Sequence, residues 1–434
     1  MMDKEKNMVR QLPIKKRTID PIAIGLIVSM LSFISGNVHA VPSFARQTGQ
    51  NCIACHAGGQ FPELTPYGRF FKLTGYTIGQ RTVPLAMMAV LTANKVKVND
   101  PTQGKTQDGS LIFNTASLFL AGKISDKVGG LAQITYQNYF KQNSVTGSWA
   151  GHTASDNMDF RYADHISKGK QDWIYGLTLN NNPGVQDVWN STPAWGYAVV
   201  PGSTRAGNAI TPMLDGGLAQ QVAGVGAYVY WNNTVYAELT GYRTGDGVFS
   251  FMTQGNGTQV QIQRTNPYLR LALTHDWGAH NAMIGLSHLD VRQYTDFADL
   301  SSPTDRYRDT SIDFQYQYLL DPHTFTANIT RIHENIDYGT PGSLRDTIKS
   351  LRAKATYIYQ AKYGGSLSYF DVSNSANTFA AQAGARGWTS ELFWTPLQYV
   401  RAGLQYTLFN ADHAGYSPKA SDNNTLLFYV WGAY

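Results

Sequence analysis

Between residues 84 and 434 polar and apolar side chains alternate with a period of two, segment after segment. Ala132, Ile134 and Tyr136 alternate with Gln133, Thr135 and Gln137. Ile312, Phe314, Tyr316 and Tyr318 alternate with Asp313, Gln315 and Gln317, and Phe325, Ala327, Ile329 and Ile332 border Thr326, Asn328 and Thr330. A period of two is the pleat of a β-strand, whose successive side chains point to opposite faces. Each such strand has one apolar face that must leave water. A soluble sandwich would turn that face inward. A membrane barrel turns it to lipid and keeps the polar face in the lumen.

Three features favour the barrel. Strands are expected near 84–95, 110–124, 128–139, 157–166, 171–179, 216–231, 233–244, 266–275, 280–291, 306–319, 323–335, 349–361, 363–372, 387–395, 398–410 and 424–434. They pair through seven tight turns, and eight longer polar loops separate the pairs. The chain closes on aromatic Tyr434, with Phe428 and Val430 on the same face. The expectation is an all-β outer-membrane barrel of about 16 antiparallel strands over residues 83–434. An even count puts both barrel ends on the same side, and short turns face the periplasm. Sixteen strands leave an aqueous lumen.

Residues 1–40 read as a secretory signal: a basic Lys15-Lys16-Arg17, an apolar Ile22–Ile34 and a small-x-small site at Val38-His39-Ala40. The apolar run is shorter than the ~20 residues of a spanning helix. Its removal takes six Lys/Arg and three Asp/Glu, leaving 29 basic against 27 acidic residues. That near balance gives no support for nucleic-acid binding, which needs a clustered basic face.

Between signal and barrel lies the one stretch that announces chemistry, Cys52-Ile53-Ala54-Cys55-His56, holding both cysteines of the 434-residue chain. CxxCH is the attachment pattern of a c-type haem: two thiols bond one porphyrin edge and the adjacent imidazole ligates the iron. The alternatives are a chance CxxCH and a reducible CxxC disulfide, the latter normally in a βαβ setting that is missing from this sequence. Cys52 and Cys55 are therefore the covalent haem candidates and His56 the axial ligand to haem iron. Residues 41–82 should form a small α-helical c-type cytochrome segment. One short helix is expected to carry the motif until Gly58-Gly59 break it. A second starts at Thr65-Pro66, places Tyr67, Phe70, Phe71 and Leu73 largely on one side, and stops at Gly75. Forty residues are too few for an independent core, so the segment needs a container, and the lumen is the available one. Met87 and Met88 are weak candidates for the distal ligand. The eight other histidines from His152 onward are scattered singly and read as surface or packing residues.

The longest loop, 180–215, contains Asn180-Asn181-Asn182-Pro183, Val185–Asn190 and Pro193-Ala194-Trp195-Gly196. It reads equally as a folded-in constriction or partner surface, or as an ordered loop packing on its own aromatics. Asp108, Asp187, Asp246, Asp299, Asp337, Asp412 and Asp422 are spread apart and read as solvated loop charges rather than a metal site. Dinucleotide, phosphate-loop, nucleophile-elbow and HExxH motifs are all missing from the sequence.

Residues 40–49 (AVPSFARQTG), the CxxCH, residues 61–76 (FPELTPYGRFFKLTGY), and more loosely residues 180–190 with 193–196, resemble the fused cytochrome–porin outer-membrane iron oxidases of iron-oxidising bacteria. Gly58-Gly59 lengthens the spacer relative to that family. The resemblance implies a monohaem cytochrome fused to a sixteen-stranded porin, integral to the outer membrane and contacting its lipid. Such a protein takes electrons from extracellular Fe(II), or another extracellular donor, and passes them to a periplasmic c-type cytochrome. Two alternatives stay open: a porin channel with a structural haem plug, and a conduit for a donor or acceptor other than iron.

Overall fold

The computed structural model describes residues 42–59, 62–98, 109–142, 149–193, 210–254, 260–375, 377, 383–413 and 419–434. The signal reading at 1–40, and Asp108, Ala194 and Trp195, lie outside the described residues.

Sixteen antiparallel strands close into one barrel in which each strand pairs with its sequence neighbours. They are β1 (Leu85–Val96), β2 (Ile112–Lys123), β3 (Val128–Gln142), β4 (Trp149–Lys168), β5 (Gln171–Asn180), β6 (Val222–Trp231), β7 (Val235–Thr244) and β8 (Asn266–Trp277). The second half comprises β9 (His280–Tyr294), β10 (Thr304–Leu320), β11 (His323–Asp337), β12 (Asp346–Tyr359), β13 (Tyr363–Asn374), β14 (Ala385–Leu397), β15 (Val400–Asp412) and β16 (Thr425–Ala433). Closure runs from Met88 opposite Ala433 to Val96 opposite Thr425. Beyond it, Tyr434 and Met87 exchange both backbone hydrogen bonds, at 2.7 and 2.8 Å.

The burial pattern is inverted relative to a soluble protein. Along β8, Tyr268, Arg270, Ala272 and Thr274 are buried while Leu269, Leu271 and Leu273 are exposed; Arg270 is 1% accessible and Leu271 57%. In β10, Ser311, Asp313, Gln315 and Gln317 are buried and Ile312 and Phe314 face out. Water would penalise that arrangement, since exposed apolar area costs roughly 25 cal/mol per Å². Lipid removes the penalty, and closure leaves no unpaired strand edge. At the short-turn end Trp277 stacks on His280 at 5.3 Å, and His323 on Tyr357 at 6.0 Å. Aromatic rings at a barrel rim are the girdle of a membrane interface. The chain is an integral outer-membrane barrel.

The tight turns suit the strands' twist: Asn232 and Asn233 have φ of 48° and 50°, and Gln360 and Ala361 both 53°, the mirror-image turn geometry of hairpins. Two expected boundaries move. β4 begins at Trp149 rather than 157, because its ladder with β3 continues to Gln142 opposite Trp149. β6 begins at Val222 rather than 216, because Met213–Gly217 form a helical turn in which Gly216 sits at φ 95°. That turn lays Met213, Leu214 and Leu218 on Tyr268, Leu289 and Ile332. Ile332 thus faces the lumen instead of joining the outer apolar face with Ile329.

Candidate functional site

The residues before β1 pack against the inner wall at the short-turn end. Two helical pieces replace the single helix expected around the motif: α1 (Pro42–Thr48) and α2 (Cys52–Cys55). Gly49, at φ 67°, breaks the chain between them. After α2 an isolated antiparallel bridge joins His56 to Leu64. Ala57 N–H donates to Glu63 O and Thr65 N–H to Cys55 O, both at 2.9 Å. Gly58, at φ 58°, lies against the wall at Ile358, where a side chain on it would collide. The third helix, α3 (Pro66–Leu73), starts from Thr65, whose hydroxyl oxygen accepts from Gly68 N–H at 3.1 Å. The same hydroxyl donates to Ala54 O at 2.5 Å. Gly75, at φ 71°, follows the end of α3, as expected.

The wall grips α3 through polar side chains. Arg69 Nη2 donates to Asn281 Oδ1 at 2.6 Å, and Nη1 to Gln315 and Gln317 at 3.1 and 3.2 Å. Tyr76 donates to Asp159 Oδ2 at 2.6 Å, and Tyr228 to Leu73 O at 2.7 Å. Glu63 accepts from Thr326 at 2.8 Å and faces Lys354 at 3.5 Å. Lys72 Nζ bonds Val185 O and lies 3.8 Å from Asp159. Arg69 and Lys72 are buried while Tyr67 and Phe70 are half-buried. The apolar side expected for α3 is thus only partly its buried side, because the lumen it packs against is polar.

From the other end, residues 180–193 fold into the lumen. Asn182 Oδ1 accepts from Gly184 N–H at 2.8 Å and caps α4 (Pro183–Gln186), and every residue from Asn180 to Trp189 is buried. The Asp187 carboxylate accepts from Trp189 N–H at 3.0 Å and Ser191 N–H at 2.9 Å. It faces Arg270 Nε at 3.3 Å, while the same guanidinium donates twice to Asp313. Over residues 180–193 the folded-in reading is observed; residues 194–209 lie outside the described residues. Among the other carboxylates singled out, Asp246, Asp337 and Asp422 form ion pairs with Arg243, with Arg308 and Arg345, and with Lys97. Asp299 is exposed. Asp187 and Asp412 are buried rather than solvated. No group of three metal-ligating side chains occurs among the described residues.

Between the helical segment and the inward loop lies a cavity continuous with solvent. Cys52, Cys55 and His56 line it, with Phe44, Leu64, Phe71, Phe119, Leu131, Val185, Val188 and Trp431. One turn of α2 puts both cysteines on its cavity side, and Ile53 points away, exposed. Burial pushes the Cys52 thiol up to about 12, helped by neighbouring Cys55, and the Cys55 thiol up to about 11. Burial pulls the His56 imidazole down to about 4, against the opposite pull of its hydrogen bond to the Glu63 backbone. No disulfide joins the two cysteines, and burial favours the neutral imidazole. Met88 borders the cavity from the inner face of β1, in step with Ala86 and Val90. Met87 touches the same cavity but is 50% exposed on the opposite face. Sequence reasoning missed Gln398, in the β14–β15 turn, whose backbone oxygen lies 3.5 Å from Cys52 Sγ; no motif surrounds it.

No family model and no curated protein matches the chain. Among solved structures it is similar to the outer-membrane channel DcaP of Acinetobacter baumannii, with 13% identity, a TM-score of 0.49, and coverage of 81% of this chain and 96% of that one. It is similar to a loop-deletion mutant of OmpT of Vibrio cholerae (8% identity, TM-score 0.44, coverage 81% and 99%). It is also similar to Salmonella typhi OmpF in complex with daunomycin (10%, 0.43, 81% and 97%).

Proposed function

We propose that this porin-like outer-membrane barrel is an electron conduit that holds one covalent haem c in the luminal cavity. The observation that carries the reading is that both thiols and the imidazole of the CxxCH converge on one apolar-walled cavity inside the barrel. The residues fit the group. Cys52 and Cys55 share one face of a single turn, His56 follows directly, and Phe44, Phe71, Leu131 and Val188 supply apolar surface for a flat macrocycle. Haem, when bound, supplies a one-electron couple whose potential is set by axial ligand, burial and hydrogen bonding.

The remaining work falls to the chain. Cys52 and Cys55 would fix the macrocycle edge by thioether bonds, and His56 would hold the iron from one side. Thr65 and Gly68 clamp α3 onto the motif, Arg69 moors that clamp to the wall and Lys72 ties it to the inward loop. The inward loop 180–193 screens the cavity from the long-loop side. A barrel's apolar band is ~25 Å tall, so a redox centre at either surface would leave most of that height unbridged. A centre in the lumen shortens the path for both donor and acceptor. In this reading extracellular Fe(II) is the electron donor and a periplasmic c-type cytochrome the acceptor. Transfer of a single electron requires no acid–base residue.

Stopped-flow mixing of Fe(II) with purified oxidised protein tests it. Reduction of the haem spectrum by Fe(II) is expected. Reduction by dithionite but not by Fe(II) removes iron as donor, and protein purified from a haem-competent host without any haem spectrum removes the conduit itself.

A further inference from the structure

We propose that the lumen contains a second route, for small anions, running beside the helical segment along the inner face of β12–β15. The plug meets β12 through Glu63, 3.5 Å from Lys354, and Gly58, against Ile358, and the β14–β15 turn through Cys52 at Gln398, but its other moorings lie across the lumen. Arg69, Tyr76 and Leu73 moor it to β4, β6, β9 and β10. A space that joins solvent lies along the inner face of β12–β15. It reaches from Arg401 and Trp431 near the short-turn end to Val372, Ala385 and Thr211 near the long-loop end. Thr330, Ser368, Thr389 and Gln405 line it, interleaved with apolar Val90, Val372 and Trp431. That lining is more polar than the wall of the cavity at Cys52, which favours hydrated solutes here.

The charges decide which solutes. Two cations on adjacent inward positions of β12 reach the space: the Arg352 side chain is 41% accessible and Lys354 33%. Their counter-ions are far less accessible, Asp215 at 7% and Glu63, which also borders the space, at 5%. The third ion pair, Arg401–Glu391 at 2.9 Å, is buried on both sides, at 6% and 4%. Formal charge is therefore near balance, yet the charge in contact with water is cationic. A low-dielectric passage with one sign of accessible charge concentrates the opposite ion. Inorganic anions and small carboxylates are the class selected. This route involves no redox step and stands apart from the electron-conduit reading.

The test is ion selectivity of the purified full-length protein in planar bilayers under a KCl gradient. Open-channel current whose zero-current potential reports chloride preference is expected. In Arg352→Gln/Lys354→Gln that preference should fall to near parity. Ser368→Cys, on the inner face of β13, gives an independent reading in an otherwise unaltered lumen. A negatively charged methanethiosulfonate should react with it faster than a positively charged one and reduce the current, with the unsubstituted protein as background. Absence of current, cation preference, a preference unchanged in the double variant, or equal reaction of Ser368→Cys with both reagents would each overturn the proposal.

Discussion

Gly68 on α3 meets the backbone of Cys55: a β-carbon built on Gly68 would lie 2.1 Å from Cys55 O. No side chain fits that gap. The glycine therefore sets how closely α3 can clamp the CxxCH turn, and Thr65 bonds both sides of the same contact. Gly68→Ala should force the two apart at an overpacking cost of about 1–3 kcal/mol. The expected outcome is a folded barrel with reduced covalent haem, read by haem stain on a denaturing gel against total protein.

Cys52→Ala removes one of the two thiols on the cavity wall. Covalently attached haem should be lost or held by Cys55 alone, with the barrel's heat-sensitive mobility retained. Unchanged haem staining and an unchanged spectrum would contradict the attachment site.

Arg270→Met leaves Asp187 and Asp313 facing each other in a buried site, each stripped of its cation. Breaking a buried pair costs about 3–5 kcal/mol, and the inward loop is the part free to release the strain. Protease should cut near residues 183–193 faster than in the parent protein. Asp246→Asn, which removes only the exposed Arg243–Asp246 pair at 3.2 Å, should leave the cutting rate unchanged.

Lys72 supplies a pH dependence. Burial lowers its folded pKa to about 8 from 10.5, with Asp159 pulling the other way. Below pH 8 the ammonium is charged in both states and the folded state carries the burial penalty. Between 8 and 10.5 the unfolded chain binds more protons, so stability rises with pH through that window. The shift corresponds to about 3 kcal/mol at 1.36 kcal/mol per unit. Urea unfolding of parent and Lys72→Met should therefore diverge in favour of the parent as pH rises from 8 to 10.5, and stay parallel below pH 8.

On the outside, Leu286 projects from the middle of β9 and is 52% exposed. Leu286→Arg should lower the folding free energy in lipid vesicles by about 2–4 kcal/mol. The neighbouring Ser287→Ala faces the lumen beside Arg270, at 2.8 Å, and should cost about 1 kcal/mol, the worth of one hydrogen bond. Equal effects at the two positions would contradict the assignment of faces.

The strands were legible because alternation is local: Gln133 and Thr135 are buried and Ile134 exposed, as their period requires. Tight turns carry their own chemistry, as at Asn232-Asn233, so the count of sixteen and the pairing of neighbours followed. Strand ends were less legible. β4 extends eight residues further than its alternation suggests, because backbone pairing with β3 continues where the side-chain pattern has faded. In the helical segment the caps at Thr65 and Gly75 were readable. The buried side of α3 was not, since a helix entering a polar lumen buries arginine and lysine as readily as phenylalanine.

The sequence alone determined the barrel, its even strand number and the chemical character of the CxxCH, because each is written in residues close together along the chain. Only the tertiary structure decided what surrounds that motif. Cys52 meets Gln398, Arg69 meets Asn281, and Lys72 meets Val185 across separations of 346, 212 and 113 residues. Those contacts exist because closing the sheet brings distant strands around one lumen, a consequence of register and curvature that no local pattern records.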